Sequence, residues 1–210
     1  MIKILIADDH PIVRRGLKQI VAETSDMVVA DEAINAKEVL SKVREKHYDV
    51  ILLDITMPGM NGLDILKDLR YLTPKTPILM LSIHPEEQYA IRALKGGASG
   101  YLTKESAPEE LISAVRKVSQ GGKYITPSLA ERLASDLEKG VDEPLHYLLS
   151  NREFAVMCMI ASGKTIGQIA NQMLLSKNTI STYRSRILTK LKLKNNIELT
   201  SYALRNKLID

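Results

Sequence analysis

The chain has a single cysteine, Cys158, among its 210 residues. That excludes an internal disulfide and suits a reducing compartment such as the cytoplasm. No run of about 18 apolar residues occurs, which argues against a membrane span. The apolar stretch Ile2–Ala7 is too short for a secretory signal peptide, and no cleavage site follows it. Acidic residues are missing altogether from residues 154–197. What is present is ordinary: 45% hydrophobic and 26% charged residues, enough apolar material for a core rather than a disordered chain. The length predicts one or two domains.

The net charge of +4 is unevenly spread. Residues 1–120 hold 16 basic and 17 acidic side chains, residues 121–147 hold 3 and 5, and residues 148–210 hold 10 and 3. The excess positive charge therefore sits in the last third. Paired with the missing acids, it points to a nucleic-acid partner more than to a solvated basic face.

The first 120 residues alternate short apolar runs with helical patterns. The runs are residues 2–7, 50–53, 77–81 and 99–103, with a weaker one at 27–30. Such runs fit strands buried on both faces of a parallel sheet. Helical spacing recurs at Ile12, Leu17, Ile20 and Val21, at Val39, Leu40 and Val43, and at Ile65, Leu66 and Leu69. It recurs again at Ala90, Ile91 and Leu94, and at Leu111, Ile112, Val115 and Val118. Five strands alternating with five helices predict a five-stranded, parallel, doubly wound (flavodoxin-like) α/β domain.

Ligands of such sheets bind beyond the carboxyl ends of the strands. Four strand ends here carry Asp8-Asp9, Asp54, Ser82 and Lys104. One strand-end Asp is ordinarily a helix cap, but four coincident polar ends are not explained by capping. Clustered carboxylates repel one another unless a cation neutralises them, and Mg²⁺ is the hard divalent cation that suits carboxylate oxygens. With a lysine and a hydroxyl added, the set suits a phosphoryl group on Asp54.

These residues, with Met57-Pro58-Gly59, Asn61-Gly62 and Tyr101, resemble the receiver domain of bacterial two-component response regulators. The resemblance implies that Asp54 accepts a phosphoryl group from the phosphohistidine of a sensor histidine kinase. It implies Mg²⁺ on Asp9, Asp54 and the carbonyl of Thr56, with help from Asp8. Ser82 and Lys104 would bind the phosphoryl oxygens, and Tyr101 would change rotamer with Ser82. Ile83 is larger than the residue usual at its position and is expected to crowd the phosphoryl pocket. His84 is expected as an exposed loop residue.

Gly121-Gly122 predicts the end of the last receiver helix. Residues 121–147 read as a linker with a short helix opened by Pro127-Ser128, striped by Leu129, Leu133 and Leu137, and broken at residues 140–144. The stripe favours docking on a domain over free movement.

The last third reads as four helices. Ser150 and Glu153 form a capping-box pattern, followed by Phe154, Met157, Ile160 and Ala161 on one face, with Gly163 at the end. A short helix spans about residues 165–173. Ser176 then caps a longer helix with Ile180, Ile187, Leu188 and Leu191 on its apolar face. The other face carries Asn178, Ser181, Thr182, Ser185 and Arg186, amid Lys177, Arg184, Lys190, Lys192 and Lys194. Small polar groups let a helix approach base edges, and cations neutralise phosphates. A fourth helix spans about residues 196–206. Gly163-Lys164-Thr165 is not a P-loop, because position 158 is Cys and a helix precedes it. Cys158 is expected to be buried.

Residues 148–210 resemble the all-α, four-helix helix-turn-helix domain of the NarL/FixJ (LuxR-type) regulators. The resemblance rests on residues 149–153, Ala161-Ser162-Gly163, Gln168-Ile169-Ala170, Ser176, residues 177–183, Lys190-Leu191 and the Leu199 helix. The Ser181-Thr182-Tyr183-Arg184 run is similar to a subset that includes virulence and acid-resistance regulators. Asn178, Ser181, Thr182 and Ser185 are expected at base edges, and Lys177, Thr179, Tyr183, Arg184 and Lys190 at phosphates. Tyr202 and Leu204 are candidates for a dimer contact, with core packing as the alternative.

The whole reading is a phosphorylation-switched, dimerising transcription regulator of promoter DNA, with RNA polymerase as a further partner. One competitor is a DNA binder that uses its receiver for dimerisation alone. Another is a Mg²⁺-dependent phosphatase. That enzyme needs a carboxylate two residues after the nucleophile, where this chain has Thr56.

Overall fold

The computed structural model describes residues 1–57, 61–138 and 144–209, with no side chains described at 135–138. Pro58, Gly59, the side chain of Leu137 and the break at residues 140–143 lie outside the described residues. Contacts divide the chain into two compact units, Met1–Glu131 and Arg132–Asp210. Among the described residues no helix is long and apolar enough to cross a membrane.

The first unit holds β1 Ile2–Ala7, α1 Pro11–Ala22, β2 Met27–Ala33, α2 Ala36–Glu45, β3 Val50–Asp54 and α3 Gly62–Leu72. Then come β4 Ile78–Ser82, α4 Glu86–Lys95, β5 Gly100–Thr103 and α5 Ala107–Ser119. All strand pairs are parallel, in the order β2-β1-β3-β4-β5. Every residue of β3 and β4 is buried, as continuous apolar runs in a sheet covered on both faces require. Ile4, Ile6, Leu52, Leu79 and Leu81 pack with Leu17 and Val21 of α1 and Leu111, Val115 and Val118 of α5. The alternate strand residues face the other side, where α2, α3 and α4 lie.

Two expectations change. The second strand runs to Ala33, past the end of its apolar run, because its charges are paired. Asp31 takes Lys42, Lys46 and the Tyr48 hydroxyl, and Glu32 takes Arg14 and Lys18. Ile12 is 87% exposed. It stands five residues before Leu17, about 140° round the helix from the buried face.

Residues 121–131, expected within the linker, pack in the first unit. Gly121 has φ of 86°, which favours glycine. The Tyr124 N–H donates to Ser99 O at 2.8 Å, alongside Gly100. A Cβ on Gly100 would lie 2.7 Å from the Tyr124 carbonyl oxygen, so the approach needs glycine. The helix α6, Pro127–Glu138, follows, with Leu129 buried and Leu133 half-buried.

The second unit has a 3₁₀ turn at Leu145–Leu148, then α7 Asn151–Ala161, α8 Ile166–Met173, α9 Lys177–Leu191 and α10 Asn196–Arg205. Capping boxes at Ser150/Glu153 and Thr165/Gln168 satisfy first-turn amides of α7 and α8. Phe154, Met157, Ile160, Ile169, Ile180, Ile187, Leu191 and Leu199 form the core, and Cys158 is buried. Leu174, in the left-handed conformation at φ 54°, closes α8 and leaves two residues before α9.

Candidate functional site

The strand order changes direction at β1, so a crevice opens where β1 and β3 end. Asp8 and Asp9 follow β1 there, and Asp54 ends β3. Lys104 follows β5 and reaches back, its Nζ 2.7 Å from Asp8 Oδ2 and 2.9 Å from Asp54 Oδ2. Asp8 and Asp54 are almost wholly buried. Asp54 Oδ1 accepts the Thr56 N–H at 3.1 Å. Burial pushes the Asp54 carboxyl up to about 6, helped by the charge of Asp8 and opposed by Lys104 and Thr56. Burial lowers the Lys104 ammonium, but Asp8 and Asp54 outweigh it and hold the group above its ordinary value.

Asn61 and Gly62 shape the floor. Asn61 accepts the Leu63 N–H and caps α3. A Cβ on Gly62 would come within 2.1 Å of the Asp54 carbonyl oxygen, so only glycine lets α3 begin this close to the acidic end of β3.

Donor atoms of Asp8, Asp9, His10 and Asp54 lie within 4.8 Å of one another. Asp8 Oδ2 and Asp9 Oδ1 are closed to solvent and accept no well-directed hydrogen bond, although Lys104 and His10 stand beside them as charge partners. An oxygen-rich set with surplus negative charge and unused lone pairs fits a hard divalent cation, and receiver domains generally bind Mg²⁺ in such a pocket. His10 is the member that sequence reasoning missed. Its Nδ1 is 2.8 Å from Asp9 Oδ1, and its N–H donates to Asp8 Oδ1 at 2.8 Å. Its place directly after the acidic pair was the available signal.

Ser82 is buried, and its Oγ accepts the His84 N–H at 3.0 Å. Tyr101, also buried, donates its hydroxyl to His84 O at 2.9 Å. Burial raises the Tyr101 phenol. Ile83 is 70% exposed, so it faces solvent and does not crowd the pocket. His84 is half-buried, its ring 5.0 Å from that of Tyr89, and is not the exposed loop histidine expected.

On α9, Asn178, Ser181, Thr182 and Ser185 are exposed at offsets of 3, 4 and 7, which puts them on one stripe. Exposed Thr189 continues it. The Thr182 hydroxyl donates to Asn178 O at 3.0 Å. Lys177 is exposed, while Thr179, Tyr183 and Arg184 are half-buried. The Thr179 hydroxyl shares a hydrogen bond with Ser176, and Arg184 Nε donates to Asn196 on α10.

Two of the expected contact residues are engaged within this unit. Lys190 is tied within the unit: its Nζ is 2.6 Å from Glu153 Oε2 and donates to Leu148 O at 3.3 Å. Glu153 is buried, and burial would raise its carboxyl, but Lys190 and Ser150 hold it below the usual range. Tyr202 turns inward, where its hydroxyl accepts the His146 N–H at 3.1 Å. That contact is of the core-packing kind, while Leu204 is 49% exposed.

Comparison with known proteins agrees with both halves. Residues 4–116 match the family "Response regulator receiver domain", and residues 147–203 match "Bacterial regulatory proteins, luxR family". The chain is 35% identical to "Response regulator UvrY" of Escherichia coli (strain K12) over 99% of this chain and 96% of the relative. It is 34% identical to "Response regulator GacA" of Pseudomonas syringae pv. syringae, over 100% and 99%. Among solved structures it resembles RcsB from Salmonella enterica serovar Typhimurium, bound to promoter P1flhDC in the presence of phosphomimetic BeF₃⁻. That likeness has a TM-score of 0.61, 25% identity and 98% coverage of each chain. The chain belongs to the NarL/FixJ (LuxR-type) response regulators, which join a receiver to a LuxR-type DNA-binding domain and regulate transcription.

Proposed function

We propose that Asp54 is the phosphoacceptor and that its phosphorylation by a partner histidine kinase controls dimerisation and promoter binding. The observation that carries this reading is Lys104 Nζ held between buried Asp8 and Asp54 at the mouth of the sheet. An Asp54 oxygen attacks the phosphorus of a phosphohistidine. The P–N bond breaks, the imidazole leaves with the bonding pair and takes up a proton, and an acyl phosphate remains. Lys104 then pairs with a phosphoryl oxygen, and the Ser82 hydroxyl donates to another. Asp9, Asp54 and the Thr56 carbonyl, aided by Asp8, would hold Mg²⁺, which supplies positive charge to offset that of the acids and the phosphoryl oxygens. Tyr101 follows Ser82 when that hydroxyl turns.

Asn178, Ser181, Thr182 and Ser185 meet base edges in the major groove, and Lys177, Thr179, Tyr183 and Arg184 meet phosphates. The Ser181-Thr182-Tyr183-Arg184 run groups the domain with the virulence and acid-resistance subset. Exposed Leu204 contributes to a dimer contact, and RNA polymerase is a further partner. The receiver catalyses only its own phosphorylation and dephosphorylation, and the protein acts in the cytoplasm.

The test is the intact mass of the protein after a small phosphodonor with Mg²⁺. Wild type gains one phosphoryl group and Asp54→Ala gains none. A variant that takes up the group as wild type does would refute the assignment.

A further inference from the structure

The start of α6 is fastened to α4 through a single carboxylate. Glu86 Oε2 accepts Thr126 Oγ1 at 2.6 Å and Ser128 Oγ at 2.8 Å. Thr126 Oγ1 also accepts the Leu129 N–H at 3.2 Å, so the hydroxyl that reaches Glu86 caps α6 as well. Two hydroxyls converging on one ionised acceptor make charge-assisted bonds, stronger than neutral ones. Glu86 comes more than forty residues before Ser128 in the chain, so this is a tertiary tie and not a local turn.

Glu86 is also the first residue of α4, two positions after His84. The His84 peptide groups are held from two sides: the N–H by Ser82 Oγ, the carbonyl by the Tyr101 hydroxyl. Pro85, at φ −57°, joins His84 to Glu86 with a fixed backbone angle and no N–H of its own. The position of Ser82 is thereby transmitted over two residues to the carboxylate that holds α6. Ser82 Oγ, the acceptor of the His84 N–H, is also the hydroxyl that faces a phosphoryl group on Asp54 in the proposed function. A phosphoryl oxygen on Asp54 draws that hydroxyl toward itself, and the support it gives the His84 N–H then loses its geometry.

We propose that Glu86 latches the start of α6 to the receiver while Asp54 is unmodified. Phosphorylation, acting through Ser82, Tyr101 and His84, opens the latch and frees the first turn of α6, which precedes the DNA-binding domain in the chain. The proposal rests on the phosphoacceptor reading above.

Hydrogen exchange of the full chain tests it, with intact mass read on the same samples. In wild type the amides of residues 128–134 exchange slowly, and they exchange about tenfold faster once a phosphodonor and Mg²⁺ have modified the protein. Glu86→Ala shows the fast exchange before modification and no further rise after it. Ser128→Ala, which keeps the Thr126 cap, shows an intermediate rate. Slow exchange in unmodified Glu86→Ala would overturn the latch. A wild-type phosphoryl adduct with unchanged exchange would overturn the trigger and leave the phosphoacceptor reading intact. No adduct in wild type would overturn both that reading and the trigger.

Discussion

Replacing the proposed phosphoacceptor should make the receiver more stable. The folded Asp54 carboxyl is pushed up to about 6, chiefly by burial, whereas in an unfolded chain an aspartate titrates near 4. Between those values the folded state holds a proton that the unfolded state has released, so stability falls as pH rises. This group's stabilisation is complete below about pH 4 and lost above about pH 6. The full difference is about 3 kcal/mol. Asp54→Asn removes the buried charge and keeps an oxygen to accept the Thr56 N–H. Lys104 retains Asp8 at 2.7 Å but loses its second carboxylate, which offsets part of the gain. The expected net stabilisation is about 1–3 kcal/mol at pH 7.5 without divalent cations, a rise of roughly 4–10 °C in the receiver transition. Scanning calorimetry of the full chain from pH 4 to pH 8 measures it, with the two units read as separate transitions. The gap between variant and wild type should open as pH rises from 4. Mg²⁺ at a hundred times its Kd should restore about 2.7 kcal/mol to wild type and far less to the variant. A variant less stable than wild type at pH 7.5, or a gap equal at pH 4 and pH 8, would refute the argument.

Other positions give distinct outcomes. Gly62→Ala should cost about 3 kcal/mol, because its Cβ meets the Asp54 carbonyl oxygen, and chemical denaturation of the full chain should show the loss in the receiver transition. Tyr202→Phe should cost the DNA-binding unit about 1–3 kcal/mol by leaving the His146 N–H without its acceptor, while Leu204→Ser leaves thermal stability unchanged. Lys177→Ala should lower the salt dependence of DNA binding by about 0.9 in the log–log slope. Lys190→Ala should leave that slope unchanged and reduce stability, because its charge is spent on Glu153. Binding isotherms at several salt concentrations, with melting curves of the same variants, separate the two lysines.

The elements readable in the sequence were those whose physical cause is local. Buried strands appear as unbroken apolar runs, and the α7 cap appears as Ser150 three residues before Glu153. The acidic pocket was readable because strand ends in a parallel sheet converge, so Asp8, Asp54, Ser82 and Lys104 meet once the strand order is known. What stayed hidden depends on partners far along the chain. The second strand's Asp31 and Glu32 fall outside its apolar run, and only their lysines and arginine explain why the strand continues through them. The bond from Lys190 to Glu153, 37 residues away, has no local signature either. The tie from Glu86 to Thr126 and Ser128 has no periodic or motif signature at all.

The central claim is that a phosphoryl group on Asp54 governs DNA binding. Its most direct measurement is promoter-DNA affinity at one fixed salt concentration, with and without a phosphodonor and Mg²⁺, for wild type and Asp54→Ala. The account predicts tighter binding of phosphorylated wild type, with a larger solution mass, and no response in the variant. Equal affinity of phosphorylated and unphosphorylated wild type, or an equal gain in Asp54→Ala, would contradict it.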